Sequence, residues 1–273
     1  MSMPIWPMLI VLAASLPCSA QFTQPPFAAD NTLFGKAELG EILGLLCPGQ
    51  VYMGQESGCR VCPASSPKAG ARANASIISA LRGHFLKPDS DDLLLDLNGC
   101  GPALLTHSSS GWFVDHEQGL PDGACRKVSS RSGRDGLVCY EASSTPDREQ
   151  ARLTISYLPE QKIDLLAAFD NTGGACESPK RVVVQSAIQD VKFAPGAPGK
   201  LGISISARCR RGPLSEGSRK ACARGAGFLD DIRPAALFRT FRIEYAFNGE
   251  TFSLAAASRL AKQAYDACVA EVK

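Results

Sequence analysis

From Gly83 onward apolar residues recur at every second position, the period of a strand with one buried face. Leu93, Leu95 and Leu97 alternate with Leu94 and Asp96, and Leu153, Ile155 and Tyr157 with Arg152, Thr154 and Ser156. The longest run sets Leu201, Ile203, Ile205, Ala207 and Cys209 against Gly202, Ser204, Ser206 and Arg208. Phe241, Ile243, Tyr245 and Phe247 predict a further strand. Asn248-Gly249 then suits the positive φ angles of a two-residue type I′ turn before "ETFSL" returns.

Outside this region the period is helical. Leu39, Ile42, Leu43 and Leu46 share one face, although Gly35, Gly40 and Gly44 weaken the helix. "ASSPKAGARANAS" reads as a linker into a brief helix carrying Ile77, Ile78 and Leu81. The end of the chain places Leu254, Ala257, Ala261, Ala264 and Cys268 on one face. A face made mostly of alanine approaches a sheet closely but buries little area, so Cys268 is expected to pin the helix through a disulfide. The pattern predicts a mainly β protein, α+β overall, of antiparallel meanders with short N-terminal helices and a C-terminal helix. Residues 21–82 form a helical, cysteine-containing segment, 83–253 a β-rich domain and 254–273 the final helix.

Residues 1–20 carry an apolar stretch from Ile5 to Leu16, then small residues at Cys18 and Ala20 that suit cleavage before Gln21. The stretch falls short of the roughly 20 apolar residues that span a bilayer, so it reads as a secretory signal peptide and the location as secreted or periplasmic. Of 11 cysteines, removal of Cys18 leaves an even set: Cys47, Cys59, Cys62, Cys100, Cys125, Cys139, Cys176, Cys209, Cys222 and Cys268. In an oxidising compartment these predict disulfides whose connectivity the spacing leaves open. With 29 basic and 27 acidic side chains the formal charge is +2, which gives no general attraction to nucleic acid or to an anionic membrane. No second apolar stretch is long enough to span a membrane.

Three clusters invite chemistry. "THSSSGWFVDHE" gathers His107, Ser108, Ser109, Ser110, Asp115 and His116, but it lacks the G-x-S-x-G elbow of a nucleophilic serine. Ser108 to Ser110 before Gly111 read as a hairpin turn, with Trp112 and Val114 pointing inward. "CRVCP" has the C-x-x-C spacing of thiol-disulfide oxidoreductases, yet Pro63 and the glycines and prolines behind it leave no helix to activate a thiol, so Cys59 and Cys62 read as a structural bridge. Arg208, Arg210, Arg211, Arg219, Lys220 and Arg224 surround Cys209 and Cys222, with Glu216 the sole acid among them. If those cysteines pair, the loop is a constrained cationic site for an anionic glycan, a lipid head group or an envelope protein.

"GHFLKPDSDDLLLDLNGCG", Gly83 to Gly101, resembles the FG-GAP repeat, the blade unit of integrin-type β-propellers, through Gly83, Phe85, Asp92, Leu93 and Leu95. In that family the loop holds calcium through oxygen ligands, whereas His84, Leu86 and Pro88 stand here at three ligand positions, leaving Asp89, Asp91 and Asp92. Phe193, Lys200, Leu201 and Ile203 repeat the spacing of Phe85, Asp92, Leu93 and Leu95, which suggests two blade-like repeats, 83–175 and 185–253. The loop is expected to act as a turn plugged by Phe85, without a metal or other cofactor. The expected function is an exported, non-enzymatic binding or cell-envelope interaction protein. The alternative is an exported hydrolase or thiol-disulfide oxidoreductase using His107 to His116 or Cys59 and Cys62.

Overall fold

In a computed structural model the apolar face of Ile42, Leu43 and Leu46 folds as helix α1 (Lys36–Leu46). The structure describes residues 24–270 except 54–56, 67, 116–118, 122, 131, 146–147, 159–160, 173–174, 177–181, 196–200, 224–236 and 249–250. The predicted signal peptide lies outside the described residues.

Helix α1 covers a six-stranded antiparallel meander in chain order: β1 (Val51–Tyr52), β2 (Gly58–Val61), β3 (Arg72–Gly83), β4 (Asp91–Leu97), β5 (Gly101–Ser108) and β6 (Gly111–Asp115). A second meander of eight strands follows: β7 (Ala124–Ser129), β8 (Asp135–Thr145), β9 (Arg148–Tyr157), β10 (Gln161–Asp170), β11 (Val183–Pro195), β12 (Leu201–Gly212), β13 (Arg239–Phe247) and β14 (Phe252–Leu254). Helix α2 (Glu216–Ala223) follows β12, and helix α3 (Arg259–Val269) closes the fold. The protein is mainly β, as the period of two predicts.

Two expectations need correction. The linker and helix expected before Gly83 are one long strand, β3. A bulge between Ile77 and Ser79 inserts Ile78, so Ala75, Ile77 and Ala80 all pack beneath α1 while Leu81 faces the other way. The bulge turns a spacing of two into one of three, which imitates a helix. The division also falls elsewhere: strands on both sides of Gly83 share the first sheet, and the sheets part between Asp115 and Ala124.

Leu93, Leu95, Leu97, Leu105 and Trp112 pack with α1, whereas Leu81, Leu94 and Leu104 face the second sheet and meet Leu137, Leu158 and Phe85. Strand β4 is therefore buried on both faces, which is why Leu94 interrupts its polar alternation. In the second sheet Leu153, Ile155, Ile203, Ile205, Ala207, Ile243 and Tyr245 line one face with α3. The α3 stripe differs from the predicted alanine face: Tyr265 is 0 % exposed and Val269 is buried, while Ala257 and Ala264 face out. Strands β13 and β14 form the expected hairpin, but Phe247 stands opposite Phe252, so four residues, 248–251, connect them where a two-residue turn at Asn248-Gly249 would have set Phe247 opposite Glu250; Gly249 itself lies outside the described residues.

Strands β10 and β11 share a single register pair, Asp170 opposite Gln185. Side-chain hydroxyls replace the missing ladder. Tyr245 donates to the Leu165 carbonyl at 2.7 Å, Tyr265 to that of Ala167 at 2.8 Å, and Ser186 Oγ to that of Phe169 at 3.0 Å. Buried carbonyls need such partners. The segment before α1 ties the sheets together: Val191 N donates to Pro26 O, Asp30 N to Cys125 O and Thr32 N to Ala80 O, reaching β11, β7 and β3 in turn. Phe27 packs edge-on to Phe193, whose ring also carries the Arg126 guanidinium 4.4 Å from its centroid.

Burial pushes the hydroxyls of Tyr140 and Tyr245 up to about 12 and also raises those of Tyr157 and Tyr265. The fold keeps these protons after an unfolded chain, with its tyrosine pKa of about 10, has lost them. Stability is therefore whole below about pH 10 and falls as pH rises toward the folded values. Tyrosinate absorbance of these four should rise together with loss of the β-sheet circular dichroism signal. Stepwise ionisation in an intact fold would contradict this burial.

Candidate functional site

The loop that resembles a calcium site is organised around a carboxylate. Asp92 is 0 % exposed, and its Oδ2 accepts hydrogen bonds from Phe85 N at 2.7 Å, Leu86 N at 2.8 Å and Ser90 Oγ at 2.5 Å. Its Oδ1 accepts from Thr106 Oγ1 at 2.9 Å. The donors that converge here are N–H and O–H groups, a set that fits an anion, and the Asp92 side chain itself fills that place. On the outer side Asp135 Oδ2 accepts from His84 N at 3.0 Å, and the His84 ring Nδ1 bonds the Ser90 carbonyl. A Cβ at Gly83 would stand 2.8 Å from both Asp135 Oδ2 and the Phe85 ring, so the paired Gly and Phe of the motif serve packing.

The other two loop acids are engaged elsewhere or turned away. Asp89 is exposed and has a φ of 66°, a left-handed conformation at the turn. Asp91 takes two hydrogen bonds from Arg82, at 2.7 Å each. That guanidinium holds the Asp91 carboxyl below its ordinary value against the opposing effect of partial burial, with smaller help from His107 and His84. Among the described residues no group of three or more His, Cys, Asp or Glu side chains is placed to hold a metal.

The candidate nucleophilic cluster is dispersed. His107 pairs with Trp112 across β5 and β6, while Asp115 pairs with Leu104. The two pairs are three positions apart along the ladder, an odd offset, so alternation sends His107 and Asp115 to opposite faces of the sheet. Ser108 and Ser110 form the hairpin turn, their hydroxyls 2.8 Å apart. Trp112 is buried as expected and lies edge-on to His107, with ring centroids 4.9 Å apart. His116 lies outside the described residues.

The cysteine pairs correct two readings. Cys59 is bridged to Cys47, and Cys62 to Cys100. Residues three apart along an extended segment are about 10 Å apart, beyond the roughly 7 Å limit for Cα atoms of a disulfide, so the C-x-x-C pair cannot close on itself. Cys125 joins Cys139, Cys176 joins Cys222, and Cys209 joins Cys268. The last is the pin predicted for the C-terminal helix. It also removes the Cys209–Cys222 bridge on which the constrained cationic loop depended: Cys209 points under α3, whereas Cys222 meets Cys176 beside Ala175, Val183 and Leu214.

The basic residues consequently separate. Arg219 and Lys220 ride on α2, where Lys220 pairs with Glu216 at 2.7 Å, and Arg224 lies outside the described residues. Arg208 and Arg210 both lie against the ring of Phe238, at 4.6 and 4.2 Å from its centroid. Arg210 is also held by Gln185 Oε1 at 2.9 Å, and Gln185 donates in turn to Asp170. Arg211 points the other way, and its Nη1 donates to the Ala267 and Ala270 carbonyls at 3.0 and 2.8 Å, capping the C-terminus of α3.

These placements leave a cleft at the ends of β12 and β13 against α3. It has a volume of about 300 Å³ and is lined by Arg210, Arg211, Arg239, Leu237, Phe241 and Cys268, with Cys209, Ala264 and Ala267 completing it. Among the described residues no carboxylate lines it. Among the described residues Arg239 has no carboxylate partner, and Leu237 at its rim is 89 % exposed. The sequence offered the basic run around Cys209 but not Arg239, Leu237 or Phe241, because the pairing of β12 with β13 and the docking of α3 bring them together.

No family model, curated protein or solved structure matches this chain. Ten cysteines form five disulfides, and no helix among the described residues is long and apolar enough to cross a membrane. The disulfides are consistent with an oxidising compartment.

Proposed function

We propose that the protein is an exported, non-enzymatic binding module of the secreted or periplasmic space that recognises an anionic group on its partner through the cleft between β12, β13 and α3. The observation that carries this reading is the charge of the lining: among the described residues the guanidinium groups of Arg211 and Arg239 face the cleft, no acid lines it, and Arg239 has no carboxylate partner. The α3 carbonyls fix Arg211 in place, so part of the site is ordered before a partner arrives. Against the hydrolase alternative stand His107 and Asp115 on opposite sheet faces; against the oxidoreductase alternative stand Cys59 and Cys62 in separate bridges.

The FG-GAP resemblance is, in this reading, one of backbone shape, with the buried Asp92 carboxylate ordering the loop where the family uses a cation. The two blade-like repeats, 83–175 and 185–253, would then have diverged in their loops, with Phe85 in a connection and Phe193 within a strand.

Retention on a sulfated polyanion column tests the anionic reading. The formal charge of +2 gives little general retention, so elution should require added salt in the wild type and move to lower salt in Arg239→Gln. Equal elution of the two proteins would overturn the assignment to this cleft.

A further inference from the structure

We infer that the ligand of this cleft is a small amphiphilic anion, one carboxylate, sulfate or phosphate on a short apolar body; the inference rests on the anionic reading above and narrows it. The lining divides into two chemistries. Arg211 and Arg239 supply N–H donors, and one nitrogen of Arg211 is committed to the end of α3. Guanidinium groups bind such head groups through charge-assisted, often paired hydrogen bonds. The rest of the wall is Leu237, Phe241, Ala264, Ala267 and the Cys209–Cys268 bridge, which offer contact area and little polarity.

An oligosaccharide fits this lining poorly. Sugar hydroxyls both donate and accept, yet among the described residues no Asp, Glu, Asn or Gln side chain lines the cleft to receive their protons. Size points the same way. A volume of about 300 Å³ equals roughly ten water volumes, room for a head group and a short chain. The uncovered Leu237 side chain is positioned to lie along that chain and lose its exposure.

The test is calorimetric titration of the mature, oxidised protein with octyl sulfate and octanoate below their micellar concentrations. Octanol and inorganic sulfate serve as probes carrying only one half of the ligand. Both amphiphiles should bind, and each half should bind at least tenfold more weakly. Arg239→Gln should weaken octyl sulfate by about 10- to 100-fold, the effect of losing a charge-assisted hydrogen bond. Ala264→Glu places a carboxylate on the exposed wall of α3 and should abolish binding with an unchanged melting curve, which separates the site from the fold.

Vesicles containing phosphatidylglycerol, set against neutral phosphatidylcholine, identify the source. Arg239-dependent binding to the former assigns a lipid head group, and octyl sulfate binding without vesicle binding assigns a free acid. Octyl sulfate binding that is absent, or untouched by both substitutions, overturns the inference. Absence of octyl sulfate binding alongside Arg239-dependent polyanion retention leaves the anionic site standing and removes only the amphiphile.

Discussion

Asp92→Ala should destabilise the protein by about 3 to 5 kcal/mol. The carboxylate accepts from the Phe85 and Leu86 amides and also from the Ser90 and Thr106 hydroxyls. Each hydrogen bond to a charged group is worth about 1.5 to 3 kcal/mol, and truncation leaves buried donors without an acceptor. Partial repair by water at the more open Ser90 end keeps the total below the sum. At about 2 to 4 °C per kcal/mol for a chain of this size, the melting temperature should fall by roughly 10 °C. Asp92→Asn should fall between the two, because one oxygen still accepts while the amide nitrogen faces other donors. Millimolar calcium should leave all three curves in place. A variant that melts with the wild type, or a calcium-dependent rise, would show that the loop is organised by something other than this carboxylate.

Tyr265→Ala should cost about 4 kcal/mol. The ring is fully buried between α3 and the second sheet, edge-on to Phe241 at 5.4 Å between centroids, and large-to-small changes at such aromatic positions cost about 3 to 5 kcal/mol. Tyr265→Phe keeps the ring and removes only the bond to the Ala167 carbonyl, at about 1 to 2 kcal/mol. Denaturant unfolding of both variants separates packing from hydrogen bonding. The Phe variant has a second expected effect: amides in β10 and β11 should exchange faster, because Ala167 lies in the seam where hydroxyls stand in for a ladder. Phe and Ala variants of equal stability would contradict this division.

The parts of the fold legible in the sequence are those governed by one local period. Leu201 to Cys209 alternates without interruption, and β12 runs through it with Cys209 facing α3. The α1 face and the β13–β14 hairpin are of the same kind. Reading failed at β3, where a single inserted residue changes the phase, and at α3, where an aromatic side chain outside the alanine stripe supplies the burial. Neither depends on composition; both depend on what the opposite surface offers.

The candidate site divides along the same line. The polar crowding around His107 and Asp115 was visible, but only the strand register shows that they leave the sheet on opposite sides. The basic run around Cys209 was visible as well. Its partition into an α3 cap, a pair of groups against Phe238 and a cleft completed by Arg239 required the disulfide connectivity, which residue counts leave open.

That connectivity is the most direct test of the whole account. Peptide mapping of the non-reduced protein should recover Cys47–Cys59, Cys62–Cys100, Cys125–Cys139, Cys176–Cys222 and Cys209–Cys268, with none of these ten cysteines open to alkylation. A Cys59–Cys62 or Cys209–Cys222 peptide, or a reactive Cys268, would contradict it, because the sheets, the C-terminal helix and the cationic cleft could not then be arranged as described.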